Sequence, residues 1–212
     1  MKTKILLLCG LLLTGISCKK DIPLTAPQIG LISYFNFDDN LKDQKGYAGD
    51  GVPTGNPTFT AGKIGKALTL NGTNQKVLFT ANPAQSPNGI TTACWMNVSS
   101  VQDGIYRWVF RFSDKNSNFG SLQINQGDKI IFLTSSQASN PESTYASQTW
   151  MHVVLTFDGN SSKLYINGVL KSNYDEPASL SAYFNSLNIG YNSASNRYLQ
   201  GSIDELYIYN RA

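Results

Sequence analysis

The chain has 212 residues, 41% of them hydrophobic and 15% charged, with 17 basic and 14 acidic side chains. This is an ordinary globular composition, and the length suits one large β domain rather than a disordered or fibrous chain. No run or stripe of Lys and Arg exists, so the electrostatic footprint of nucleic-acid binding is missing.

Residues 1–17 open with Lys2 and Lys4 and continue in an apolar run from Ile5 to Leu13. A charged start followed by an apolar run this short reads as an export signal, not a membrane span. Without those two lysines the charge is 15 basic against 14 acidic residues. The segment ends Thr14-Gly15-Ile16-Ser17-Cys18, which resembles a bacterial lipoprotein signal with Cys18 as the lipidated first residue. Gly15 departs from the usual Leu of that motif, whereas the small Ser17 before the cysteine is kept. The alternative is an ordinary secretory signal followed by an incidental cysteine. If lipid is attached, each buried methylene adds about 0.8 kcal/mol of anchoring. The resemblance places the protein at the outer membrane, because Lys19 and not Asp follows the cysteine; which face it occupies stays open. Residues 18–28, with Pro23 and Pro27, read as a tether. Cys9 leaves with the signal and Cys18 carries lipid, so Cys94 remains alone and no intrachain disulfide forms in the mature domain. Cys94 lies in an apolar strand and is expected to be buried and inert.

From Ile29 onward the pattern is that of strands and turns. Leu31 to Phe37 is the first strand, and Asp38 to Thr60, rich in Asp, Asn, Gly and Pro, is expected to be loop. Ala67 to Leu70 and Val77 to Phe79 flank an Asn71-Gly72 turn. Ile90 to Val98, Tyr106 to Phe112, Gly120 to Asn125 and Lys129 to Thr134 follow. Trp150 to Phe157 alternates with period two, with Met151, Val153, Leu155 and Phe157 on one face. Asp158-Gly159-Asn160 then turns into a strand from Lys163, and Asn167-Gly168 is a tight hairpin signal. Leu187 to Gly190 and Ser202 to Tyr209 close the chain. No window shows a helical period, so the class is all-β, a two-sheet antiparallel sandwich or barrel.

Alternation also assigns faces. Cys94, Met96 and Val98 go to the core, which turns Trp95 outward. Tyr106, Trp108, Phe110 and Phe112 share a second core face, leaving Arg107, Val109 and Arg111 on the other. Trp95, Arg107 and Arg111, near Trp150 and His152, would then form one outward platform for a sugar, since an indole stacks on a sugar's C–H face and Arg forks onto its oxygens. The alternative is that loops cover Trp95 and Trp150 as a second small core. Tyr191, Arg197 and Tyr198 in a polar loop are further contact candidates. His152, the single histidine, reads as a structural, hydrogen-bonded ring. In the last strand, Ile203, Leu206 and Ile208 all face inward only if Asp204-Glu205 forms a bulge.

Trp150-x-His152-Val153 with the Leu164-Tyr165-Ile166-Asn167-Gly168 hairpin resembles the centre of laminin-G-like, concanavalin A-like jelly-roll domains. Tyr34 to Asp38, Gly62 to Leu68, Ile90 to Trp95, Leu187 to Gly190 and Gly201 to Ala212 match in the same order, so the resemblance covers residues 29–212. It implies a jelly roll and, in many members, a structural calcium. On this chain the ligands would be Asp38, the carbonyl of Gly72 and Asp204, hard oxygens of the kind calcium takes; the alternative is a solvated acidic bulge. The fold serves both binders and carbohydrate-active enzymes. Glycoside hydrolysis usually needs two carboxylates across the scissile bond, yet the mature chain has three Glu, namely Glu142, Glu176 and Glu205, the first two in loops beside proline. The glucanase and alginate-lyase motifs of related jelly rolls are absent.

The sequence therefore points to a non-catalytic, lipid-anchored jelly roll that binds carbohydrate or glycoconjugate at the cell envelope. A protein–protein or adhesion module without a sugar site is the second reading, and a divergent carbohydrate-active enzyme the third. Cys18→Ala is expected to move the protein out of the detergent phase or block its maturation; unchanged detergent partition of the variant would remove the lipoprotein reading.

Overall fold

The computed structural model describes residues 27–80, 89–113, 119–134, 137–138, 143–175 and 185–212. The signal, Cys18, Glu142 and Glu176 lie outside the described residues. Among the described residues there is no helix, and the strands run in order as β1 (Leu31–Phe35), β2 (Val52–Thr54), β3 (Thr58–Ala61), β4 (Lys66–Asn71), β5 (Lys76–Thr80), β6 (Ile90–Val98), β7 (Arg107–Ser113), β8 (Phe119–Asn125) and β9 (Lys129–Thr134). The second half continues with β10 (Gln137–Ala138), β11 (Ser143–Thr144), β12 (Met151–Phe157), β13 (Ser161–Ile166), β14 (Val169–Asp175), β15 (Ser186–Ile189), β16 (Tyr191–Asn192), β17 (Arg197–Tyr198) and β18 (Gln200–Tyr209).

Two large antiparallel sheets make the jelly-roll sandwich. The first runs β14-β13-β12-β6-β18-β4-β3, with β1 also pairing β18. The second runs β10-β9-β8-β7-β15-β5-β2, with β11 pairing β9, and β16-β17 is a separate small ribbon. The alternating strand β12 sits between β6 and β13, where Val153 faces Cys94 on one side and Ile166 on the other. Its inward set, Met151, Val153, Leu155 and Phe157, is buried as its period requires. The hairpin that follows β13 uses Asn167 and Gly168 at φ 50° and 78°, the left-handed pair that a two-residue hairpin demands.

The core lies between the sheets. Phe35, Leu68, Met96 and Leu164 from the first meet Phe79, Phe110, Leu122 and Leu187 from the second. Each such side chain, fully buried, stabilises the fold by about 1.5–3 kcal/mol. Cys94 is among them, and burial together with the nearby Asp204 charge pushes its thiol up to about 12, so it is the inert cysteine expected.

Two bulges decide which residues face inward. In β18 the register with β6 slips between Asp204 and Tyr207, and Glu205 takes φ 51°. Ile203, Leu206 and Ile208 are consequently all buried, as the broken alternation requires. In β7 the register with β8 slips between Trp108 and Phe110. This second bulge corrects the predicted faces: Val109 joins Phe110 and Phe112 in the core, and Trp108 turns to the outer face with Arg111. Arg107, opposite the buried Ile124, falls on the inward side at the end of the strand.

The Asp38–Thr60 stretch, expected to be loop, carries β2 and β3 on the two sheet edges. Its remainder is organised by one carboxylate. Asp43 accepts hydrogen bonds from the amides of Tyr34, Lys45 and Ala48 and from the Ser33 hydroxyl. Strand β14 is also an edge, and its outward Val169 and Leu170 gave no alternation to read.

Truncating Leu206 tests the β18 bulge. Leu206→Ala is expected to cost about 2–5 kcal/mol, as for a core leucine, measured by the urea midpoint. A loss within about 0.5 kcal/mol, typical of a surface site, would put Leu206 outside and remove the bulge.

Candidate functional site

At one end of the sandwich the chain leaves β6, loops through residues 99–106 and enters β7. A cleft of about 250 Å³ opens there, with Asp103, Arg107, Ile124, Tyr198, Gln200 and Gly72 in its wall. Local chemistry builds that wall. Asp103 caps its own turn, accepting the Ile105 amide at 3.1 Å, and Gly104 follows at φ 71°, where the missing Cβ makes positive φ inexpensive. The turn aims the other carboxylate oxygen at two guanidiniums. Arg107 donates to it at 2.7 Å, and Arg197 lies 3.5 Å away. The Arg107 hydrogen bond, first of all, holds the Asp103 carboxyl down at about 2, so it is ionised at any physiological pH. Arg107 is fixed by a second hydrogen bond to the Ile105 carbonyl.

The β16-β17 ribbon supplies the aromatic side. Asn192 ties it to the strand start by donating to the Tyr106 carbonyl at 3.1 Å, and its oxygen accepts the Ala194 amide at 3.0 Å to shape the turn. Tyr191 and Tyr198 face each other across the ribbon, with ring centroids 4.7 Å apart. The Lys76 ammonium sits 4.2 Å from the Tyr191 ring centroid, a cation–π contact. Tyr198 is thus the ring presented to the cleft. A phenol face for C–H contacts beside forked, charged donors is the chemistry that holds a sugar ring.

Of the predicted contact residues, Arg107 lines the cleft, Arg197 is paired to its Asp103, and Tyr191 stands against its Tyr198. The sequence offers Tyr198 beside them. Asp103 was not foreseen; the Asp-Gly pair just before a strand was the available signal for it.

The predicted platform of Trp95, Arg107 and Arg111 does not assemble. Trp95 lies on β6 in the first sheet and the two arginines on β7 in the second, because the chain crosses between sheets at residues 99–106. Trp95 is half-buried, with the Lys63 ammonium 4.5 Å from its ring and the His152 ring 5.2 Å away. Burial lowers the His152 pKa, which fits a neutral, structural ring. Arg111 stacks 4.4 Å from the Trp108 ring on the outer face of the second sheet. There Trp108, Ser121, Gln123 and Ile131 are all buried outside the main core. A second small core thus lies around Trp108, while Trp95 and Trp150 are each half-buried.

Of the proposed calcium ligands, Asp38 and Asp204 meet at the 62–66 loop but Gly72 does not join them. Asp38 accepts the Lys66 amide at 2.8 Å, and Asp204 accepts the Ile64 amide at 2.9 Å. Both carboxylates hold the 62–66 loop, and Gly62 is needed because a Cβ there would stand 2.6 Å from the Asp204 carboxylate. Gly72 instead packs on Gln200, four residues before Asp204 on β18, or about 13 Å along an extended strand. Among the described residues no group of three His, Cys, Asp or Glu could hold a metal ion. The trio does not fit a calcium site. Glu205, beside Asp204, accepts the hydroxyls of Tyr34 and Tyr207 at 2.9 and 2.6 Å beneath their stacked rings.

A family model described as the concanavalin A-like lectin/glucanases superfamily, of laminin-G-like type, matches residues 71–212. The chain belongs to that superfamily. Among solved structures it is similar to domain 4 of AbnA, an extracellular GH43 arabinanase from Geobacillus stearothermophilus solved in complex with arabinotriose. The two are 25% identical with a TM-score of 0.69, over 84% of this chain and 91% of that one. The binding domain of botulinum neurotoxin DC in complex with rat synaptotagmin II is 17% identical with a TM-score of 0.69, over 86% of this chain. The same neurotoxin domain in complex with SialylT gives 16% and 0.67. The chain spans 48% of those neurotoxin domains, and the likeness to them is one of fold. No curated protein matches the sequence.

Asp204 has a consequence for stability. It is fully buried, one oxygen has no hydrogen-bond partner among the described residues, and burial pushes its carboxyl up to about 6. A carboxyl that holds its proton more tightly folded than unfolded loses stability for the fold as pH rises through about 4 to 6. Asp204→Asn removes this loss. The melting temperature of the variant relative to wild type is expected to climb between pH 4.5 and 7.5, equivalent to as much as about 2–3 kcal/mol. A difference that stays constant with pH would mean that Asp204 is ionised without penalty.

Proposed function

We propose that the protein is an exported lipoprotein, lipidated at Cys18 and carried at the outer membrane, whose jelly-roll domain binds carbohydrate or glycoconjugate without catalysis. The observation that carries the reading is the convergence of Tyr198, Arg107 and Asp103 in the wall of one cleft, with Arg197 paired to Asp103 at 3.5 Å. Aromatic face and fixed polar donors meet in a concavity large enough for a sugar unit or two. The arabinotriose-bound domain, which matches nearly the whole of this one, supports a glycan as ligand. The tether of residues 18–28 would hold the domain clear of the lipid surface.

The carboxylates favour binding over hydrolysis. Asp103 is the carboxylate in the cleft wall, and its arginine partners keep it ionised at about 2, which disqualifies it as a general acid. Asp204, whose carboxyl is raised, is sealed beneath the 62–66 loop. Among the described residues, a pair of carboxylates flanking one bond, the usual requirement of a glycosidase, does not line this cleft.

Tyr198→Ala tests the site. On a glycan array the full chain is expected to bind a defined glycan class, and the variant to lose ten-fold or more, in keeping with about 1–3 kcal/mol for a stacking partner. The unfolding midpoint of the variant should stay near wild type. A silent array for the wild-type chain would leave the adhesion-module reading, and unaltered binding by the variant would move the glycan away from this cleft.

A further inference from the structure

The charged groups in the wall of the cleft are matched to each other. Asp103 and Arg107 both line it and pair at 2.7 Å. Arg107 gives its other terminal nitrogen to the Ile105 carbonyl. Arg197, which stands outside the wall, pairs with the same Asp103 carboxylate at 3.5 Å. The polar groups that remain in the wall are neutral: Ser99, Ser100, Gln102, Tyr198 and Gln200. Ser100 is occupied, since it donates to Asp128 at 2.5 Å and accepts from the Gln102 amide at 2.6 Å. That contact takes one N–H of Gln102. The amide's carbonyl oxygen and second N–H make no hydrogen bond among the described residues, and neither does the side-chain amide of Gln200. Both glutamines are exposed. Gly72 leaves room for Gln200, because a Cβ on Gly72 would stand 2.8 Å from the Gln200 Cβ.

We infer that the cleft selects a neutral glycan, whose hydroxyls exchange hydrogen bonds with the Gln102 and Gln200 amides while the ring stacks on Tyr198. The inference rests on the reading of this cleft as the glycan site and adds the charge of its ligand. An amide carries both donors and an acceptor, and a sugar hydroxyl does the same. The two kinds of group satisfy each other with no net charge on either side. A uronate or sulfate in the same place would give up its water and meet guanidiniums that already share a carboxylate. It would also lie beside Asp103, which its arginine partners hold ionised from about pH 2 upward. A like charge placed against a competitor is one way a site rejects it. The Asp103–Arg107 pair, closed on itself, thus sets the sign of what the cleft excludes.

The experiment measures affinity of the full chain for two matched pairs of probes. One pair is oligogalacturonate with its carboxyl-reduced counterpart, and the other is oligomannuronate with its carboxyl-reduced counterpart. Within each pair the difference is a carboxylate against a hydroxymethyl group. The neutral member of at least one pair is expected to bind about ten-fold or more tighter than its acid, and to keep its affinity as salt is raised. Gln102→Leu and Gln200→Leu, both exposed changes checked for an unchanged unfolding midpoint, should each weaken the neutral member several-fold. Asp103→Asn keeps an acceptor oxygen for the turn and removes the charge, so it should raise the acid-to-neutral ratio about ten-fold. Equal or tighter binding of the acid, lost in Tyr198→Ala, would overturn the inference and leave the glycan site standing. A neutral preference that neither the glutamine variants nor Asp103→Asn alter would also overturn it, because the charge would then be read elsewhere. Failure of all four probes to bind would overturn the inference together with the site.

Discussion

The fold depends on how β18 is inserted. This strand lies inside the first sheet, paired with β6 and β4 and touched by β1 as well. A regular strand in that place would turn Leu206 and Ile208 outward. The extra residue at the bulge lets Ile203, Leu206 and Ile208 all reach the core. It also sends the Asp204 carboxylate sideways under the 62–66 loop and Glu205 onto the hydroxyls of Tyr34 and Tyr207. One backbone irregularity thus sets core packing on one face and two buried carboxylates on the other. Burial of those carboxylates is unfavourable by itself, and the hydrogen bonds from amides and phenols offset it.

The cleft inherits its position from the same architecture. Its wall combines the β6–β7 crossover, the start of β7, the β16-β17 ribbon and the turn after β4. These segments are far apart in sequence and meet because strands of both sheets end there. Loops held by a rigid sandwich are where such folds place recognition. Here the loops are themselves pinned, by the Asp103 turn, by Asn192 on the Tyr106 carbonyl and by the Arg107 contacts. A ligand would meet groups already held in place, which limits the ordering entropy lost on binding.

Much of this was legible in the sequence, and the limits have physical causes. Strands β6, β9 and β12 were read nearly to the residue because one of their faces is continuously apolar. The β18 bulge was legible because three apolar residues broke the period. The β7 bulge was not, since Trp108 and Val109 are both apolar and either fits a core; alternation cannot say which one is extra. Alternation turns Trp95 and the β7 arginines outward but cannot show that the chain changes sheets between them. Edge strands β2, β3 and β14 escaped notice because they bury little and so impose no pattern. The contact of Lys76 with the Tyr191 ring is spatial alone, which no local spacing encodes.

The placement of β18 also bears on when the fold can form. Ribosomes deliver the chain from its amino end, and this strand comes after every other strand of its sheet. Until residues 200–209 appear, β6 and β4 each lack the strand that joins them, and the halves β14-β13-β12-β6 and β4-β3 of the first sheet stay separate. Contacts of such long sequence separation are slow to form. In a chain of this design the first sheet closes only once the final strand is made.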